Sequence, residues 1–281
     1  MATFYVDGIT YTIIFSTNVS VTSSISGISR TNLFLDFVTD PATSIVYTIT
    51  KIENNAFNTR PGLTGNLTIG ASVTSIGYYA FFNCLGLHGT LTFSGPSSLV
   101  TIGFQAFYHC SFLTGSLAIP ATVTSIGNNA FDSCTGLNGT LMFDAPSLLK
   151  SIGDNAFLFC NISGSITIPD GVTYIGYQAF NNCSLISNYI FLGNAPTTFG
   201  NNIFDGASTP LPTITYTSGT SGWPTTEPFL WPSSPQYEGT RLPVIPSAPS
   251  APSAPSAHVG YASFNVFRTN FSGMGNLGDY Y

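Results

Sequence analysis

Five cysteines, Cys84, Cys110, Cys134, Cys160 and Cys183, recur at intervals of 26, 24, 26 and 23 residues. If the segments between them stack, neighbouring thiols come within disulfide reach, because adjacent strands bring Cα atoms to about 5 Å. A file of thiols also suggests a metal strip. An odd number cannot pair completely within one chain, and tetrahedral zinc needs ligands converging from several directions, not a row. The reading that remains is a column of small buried hydrophobes, since free cysteine is among the most buried residue types. His88, His109 and His258 are scattered, and only His109 adjoins a cysteine, with its side chain expected on the opposite face. A Cys/His nucleophilic pair would need both groups in one cleft. Asp132, Asp144, Asp154 and Asp170 fall at turn positions without fixed spacing, so they read as solvated turn residues and not as a carboxylate pair. No residue is assigned a catalytic, cofactor-binding or metal-binding role, and an enzyme is not expected.

A repeat must position the thiols. Each cysteine stands three residues after a phenylalanine that closes the phrase Ile-Gly-x-x-Ala-Phe, at 76–81, 102–107, 126–131, 152–157 and 175–180. Degenerate copies occupy 52–57 and 199–204, and successive starts differ by 24, 26, 24, 26, 23 and 24 residues. Upstream of each phrase a short run alternates apolar and polar residues, as in Leu67 and Ile69 or Leu117 and Ile119, which is the period of a half-buried strand. A second apolar pair follows, such as Val73 and Ile76. The column Gly77, Gly103, Gly127, Gly153, Gly176 and Gly200 calls for positive φ or close approach of the next coil. One such coil cannot bury its apolar side chains alone, so the pattern implies a stack of coils, a β-solenoid stabilised by its neighbours.

Composition fits a surface-presenting array. Hydrophobic residues make up 43% of the 281 residues and charged residues only 6%, against roughly 25% in typical soluble domains. The exterior is therefore Ser, Thr, Asn, Gly and aromatics. With a net charge of −6 and six Lys and Arg in all, no basic stripe exists for phosphates, and nucleic acid is excluded as a partner. No apolar run reaches membrane-spanning length. The start, Met-Ala-Thr-Phe-Tyr-Val-Asp, lacks the features of a secretory signal. For a protein that works outside a cell, that leaves a signal already removed, an unconventional route to the cell surface, or packing into a particle such as a virion, with the cytoplasm as the remaining location.

The stretch from Leu117 to Leu137, LAIPATVTSIGNNAFDSCTGL, resembles the BspA-like, treponemal-type leucine-rich repeat, and the likeness runs over about 47–206. Val6 to Tyr11 and Tyr216 to Trp223 are similar to segments that open and close such proteins. The resemblance implies a mainly β leucine-rich-repeat solenoid of short strands and few helical turns, capped at both ends. It also implies a surface protein of bacteria or parasitic protists engaged in adhesion to host matrix proteins, with copies in large DNA viruses and no catalytic residues. Two copies depart from the pattern: Glu53 and Arg60 replace Gly and Cys in the first, and Phe199 and Ile203 replace Ile and Ala in the last.

Domain limits follow. Residues 1–46 form an N-terminal β cap, 47–206 the solenoid, 207–240 a C-terminal cap, 241–257 a Pro-Ser-Ala spacer and 258–281 an aromatic and glycine-rich tail. Aromatics are poor material for a purely solvating segment, so Tyr261, Phe264, Phe267 and Phe271 are candidate anchors to an assembly partner or a second copy. Two places on the solenoid are candidate partner-binding sites for protein or glycan. Every second coil carries a two-residue insertion, at Ser94–Ser98 and Asp144–Leu148, which brings out Pro96, Ser97, Pro146 and Ser147. The position after the column glycine holds Tyr78, Phe104 and Tyr177, suited to stacking on a sugar or an opposing loop. A neighbouring row, Thr50, Thr74, Val100, Thr124, Lys150 and Thr173, has the threonines of an ice-binding array but not its regularity. The expected function is non-enzymatic recognition or adhesion through the solenoid, tethered by the tail. The alternative is a structural or decorating component of a virus particle, and self-association into a homo-oligomer stays open.

Overall fold

The computed structural model of the protein describes residues 1–25, 27–206, 212–217, 219–223 and 244–246. All lie in the first of two compact units, Met1–Pro249; the second, Ser250–Tyr281, falls outside the described residues. The tail aromatics and His258 therefore lie outside them too.

The described chain is a β-solenoid without helices, so the few helical turns expected from the repeat are tight turns instead. One face is a parallel ladder of two-residue strands, Ser75–Ile76, Thr101–Ile102, Ser125–Ile126, Ser151–Ile152, Tyr174–Ile175 and Thr198–Phe199, each in register with the next. Strand Val46–Ile52 starts the ladder by pairing Lys51 with Ser75. The N-terminal cap extends the same sheet to eleven strands, with the meander Thr3–Val6, Ile9–Phe15 and Asn18–Ser24 laid on Val46–Ile52. The opposite face is built from longer strands in three blocks. These are Arg30–Leu35 to Leu91–Phe93, then Leu117–Ile119 with Leu141–Phe143, then Ser163–Ile168 to Val244–Pro246. Each break falls between one of the two long coils and the coil after it. Strand Val244–Pro246, within the stretch read as spacer, pairs with Thr213–Tyr216 and adds to the C-terminal edge.

Between the faces, identical side chains stack coil upon coil. Phe57, Phe81, Phe107, Phe131, Phe157 and Phe180 form a buried ring ladder with centroids 5.0 to 5.3 Å apart and planes within 9° of parallel. Such spacing with parallel planes means the rings are offset, the favoured stacking geometry. The cysteines form the next column, all free and buried. Each thiol donates to the carbonyl of the phenylalanine one coil back, for example Cys110 to Phe81 at 2.9 Å and Cys134 to Phe107 at 3.1 Å. In the first coil Arg60 takes the cysteine position and turns its guanidinium on the cap, donating to the Ser24 carbonyl at 2.6 Å and the Ser24 hydroxyl at 3.0 Å. At the other end Trp223 stacks on Tyr216 at 5.0 Å and lies 4.9 Å from Phe191, covering the last coil.

The glycine column answers the close-approach demand, not positive φ. A Cβ on Gly103 would lie 2.7 Å from the carbonyl carbon of Gly77, and one on Gly127 equally near Gly103. The left-handed backbone falls two residues later, at Asn55, Tyr79, Gln105, Asn129, Asn155, Gln178 and Asn202, all with φ between 50° and 61°.

Candidate functional site

The ladder face carries three outward rows side by side. The strand position before each isoleucine holds Lys51, Ser75, Thr101, Ser125, Ser151 and Tyr174. The position after it holds Glu53 and then the glycines. The next holds Asn54, Tyr78, Phe104, Asn128, Asp154 and Tyr177. With no side chain between the outer rows, the glycines form the floor of a trough. Its open part, about 490 Å³, is lined by Ser75, Tyr78, Thr101, Phe104, Ser125 and Asn128 over Gly77, Gly103 and Gly127.

Both ends of this trough are blocked by departures from the repeat. At the N-terminal end Glu53 fills the glycine position and pairs with Lys51 at 2.9 Å. At the other end Tyr174, standing where the other coils have Ser or Thr, donates its hydroxyl across the floor to Asp154 at 2.9 Å. That bond to a carboxylate, with burial and the carboxylate charge adding, raises the Tyr174 phenol above its ordinary pKa. Three coils at about 4.8 Å each leave an open run of about 14 Å.

The walls differ from the surface beside them. In the adjoining row, Thr50, Thr74, Thr124 and Thr173 donate their hydroxyls to carbonyls of the preceding coil, at 3.0 Å for Thr74 and 3.2 Å for Thr124. Among the described residues, the hydroxyls of Ser75, Thr101 and Ser125 enter no such bond. On the opposite wall Tyr78 is 56% exposed. Phe104 is half-buried, held edge-to-face on Tyr79 with centroids 5.3 Å apart. Tyr177 shares their row and is exposed, but Asn128 and Asp154 stand between it and Phe104, and the Tyr174 crossbar closes the trough before it. The threonine row is broken as expected, by Val100 and Lys150.

The insertion loops present Pro96 and Pro146 to solvent, each after a cis peptide bond. Ser97 and Ser147 are half-buried, and their hydroxyls accept from the Leu99 and Leu149 amides within the loop. The loops are further tied to the preceding coil, Ser98 to Ala71 and Leu148 to Ala121. The prolines are available and the serine hydroxyls are largely occupied.

Burial pushes Cys183 up to about 12 and carries Cys110, Cys134 and Cys160 above the ordinary thiol value as well, so none of these four is a thiolate near neutral pH. Cys84 is shifted the other way, its pKa lowered by the Cys110 thiol beside it and by Arg60 against the cost of burial, and its thiol lies buried on the Phe57 carbonyl. His109 is exposed, 3.1 Å from Asn83, and His88 sits on the Gly86 carbonyl. Asp132 corrects the expectation of a solvated turn residue: it is 5% exposed. It shares its position in the repeat with Phe82, Tyr108 and Leu158. Burial raises its pKa, against the donors Asn129 and Ser133, each at 2.8 Å. Among the described residues no group of three His, Cys, Asp or Glu is placed to hold a metal, and no helix is long and apolar enough to cross a membrane.

Comparison with known proteins agrees with this geometry. Residues 38–138 and 101–224 match the BspA type leucine rich repeat region, in six copies. The chain belongs to that family. Among solved structures, this BspA-type chain is similar to the leucine-rich repeat protein of Treponema pallidum, with 25% identity, a TM-score of 0.56, and coverage of 73% of this chain and 90% of that one. A leucine rich cell surface protein of Faecalibacterium prausnitzii shares 22% identity over 78% of this chain and 72% of its own, at a TM-score of 0.52. The pneumococcal vaccine antigen PcpA matches at 20% identity and a TM-score of 0.54, over 68% of this chain and half of its own length. No curated protein matches significantly.

Proposed function

We propose that this BspA-type chain is a non-enzymatic recognition protein of an exposed surface, engaging protein or glycan through the ladder-face trough and held to a larger assembly by residues 258–281. One observation carries the reading. The trough brings unspent hydroxyls and two aromatic rings together over a floor without side chains, while the neighbouring threonines spend their hydroxyls on the fold. Surface residues that satisfy nothing inside the molecule are free to satisfy a partner. The family and the cell-surface protein of Faecalibacterium prausnitzii, which shares the fold, support a surface role.

The test uses the full chain against immobilised matrix proteins and glycans, with two arginine substitutions one position class apart. Thr101→Arg fills the trough from its wall, and Thr124→Arg puts the same charge and bulk on the adjoining row. Recognition through the trough predicts that Thr101→Arg abolishes binding and Thr124→Arg preserves it. Equal binding by both variants would remove the trough from consideration.

A further inference from the structure

We propose that the trough takes a neutral, extended oligosaccharide of about three sugar rings, a reading that rests on the recognition role above and names its ligand class. The floor excludes the commonest way of holding a peptide. Its amides are already used, Gly103 N–H donating to Ile76 at 2.9 Å and Gly127 N–H to Ile102 at 2.8 Å, so no strand can add there by main-chain pairing. Recognition falls to side chains. Ser75, Thr101 and Ser125 each offer a group that both donates and accepts, as every sugar hydroxyl does, whereas the Asn128 amide on the facing wall is spent on Asp154, accepting from its backbone N–H at 3.0 Å.

The aromatic wall supplies what a sugar needs besides hydroxyl partners. A pyranose has an apolar face that lies on a ring, and Tyr78 and Phe104 stand one coil apart along the wall. Phe104 is fixed by Tyr79, so its plane is set before a ligand arrives. An extended glycan advances per ring by about one coil, which keeps successive rings in step with successive coils.

Charge and length narrow the class further. No ionised side chain lines the open run. At the N-terminal end Lys51 is paired with Glu53, and the far end is closed by Asp154. A sialylated, sulfated or uronic chain finds no partner and meets a carboxylate at each end. The two crossbars limit the bound length to the three open coils.

Binding of the full chain to neutral oligosaccharides of increasing length, to sialylated counterparts and to a short-peptide library decides the matter. Affinity for the neutral series is expected to rise with length and level off at about three rings, with the sialylated forms weaker. Tyr78→Ala should lower it about tenfold while the far-ultraviolet spectrum stays unchanged. Tyr177→Ala, beyond the crossbar, should leave it alone. Tyr174→Ser removes the crossbar, and the plateau should move to a longer chain. Absence of binding to every neutral oligosaccharide, or binding indifferent to Tyr78→Ala, overturns the glycan assignment. Peptides bound by the wild type and lost in Tyr78→Ala would overturn it too while leaving the trough as a recognition surface. If no ligand in any panel responds to Tyr78→Ala, both readings fall.

Discussion

Replacing Phe131 with leucine tests whether the stack of identical rings holds the solenoid as a chain of nearest-neighbour contacts. Phe131 is fully buried between Phe107 at 5.1 Å and Phe157 at 5.3 Å, with planes 5° and 4° from parallel. Leucine keeps most of the apolar volume but loses both ring contacts, each worth about 0.5 to 1.5 kcal/mol beyond area burial. The expected loss is therefore about 1 to 3 kcal/mol from stacking, before any misfit. Phe57 has one such partner, Phe81 at 5.0 Å, so Phe57→Leu should lose about half as much. The sharper readout is a double-mutant cycle in urea, with the slope of each transition checked for constancy. Phe107→Leu and Phe131→Leu should couple by about 0.5 to 1.5 kcal/mol, and Phe81→Leu with Phe157→Leu, which have two rings between them, by less than about 0.5 kcal/mol. Equal coupling for the near and far pairs would refute nearest-neighbour stacking.

Stability should fall in alkali. The unfolded thiols ionise from about 9 while folded Cys183 holds its proton to about 12, so the unfolded state binds fewer protons and stability drops as pH rises through that window. The urea midpoint should fall above about pH 9, at no more than about 1.4 kcal/mol per pH unit for each raised thiol, and Cys183→Ala should flatten the slope; a midpoint level to about pH 10 would contradict the burial argument. Arg60→Ala strips the Ser24 carbonyl and hydroxyl of their donor and should cost about 2 kcal/mol in urea unfolding, with the N-terminal cap first to lose amide protection in hydrogen exchange. Gly127→Ala forces a Cβ to within 2.7 Å of the backbone of the coil before it and should cost about 1 to 3 kcal/mol, read from the melting curve.

Much of this architecture is legible because every coil repeats the same demands. The columns of Ile, Ala, Phe and Cys follow from the period, and all lie in the core. Arg60 and Glu53 stand out by breaking a column, and both act at the junction with the cap. The backbone conformation of the glycines is less readable, since glycine serves a close approach and a left-handed turn equally well. The repeated asparagines at 55, 129, 155 and 202 carry the turn signal instead, asparagine being enriched in that region. Asp132 reads as a turn residue by itself, and its burial shows only once the coils are stacked. Tyr78 and Phe104 are visible as an aromatic row. The trough they line is not, because its far limit depends on Tyr174 reaching across to Asp154, a contact between residues 20 positions apart in different coils.

Recognition through the trough is tested most directly by where a partner sits. A crystal structure of the full chain with a bound oligosaccharide or peptide should show ligand density over Gly77, Gly103 and Gly127, between Thr101 and the rings of Tyr78 and Phe104. Density confined to the Ser94–Ser98 and Asp144–Leu148 loops, or to the opposite sheet, would contradict it.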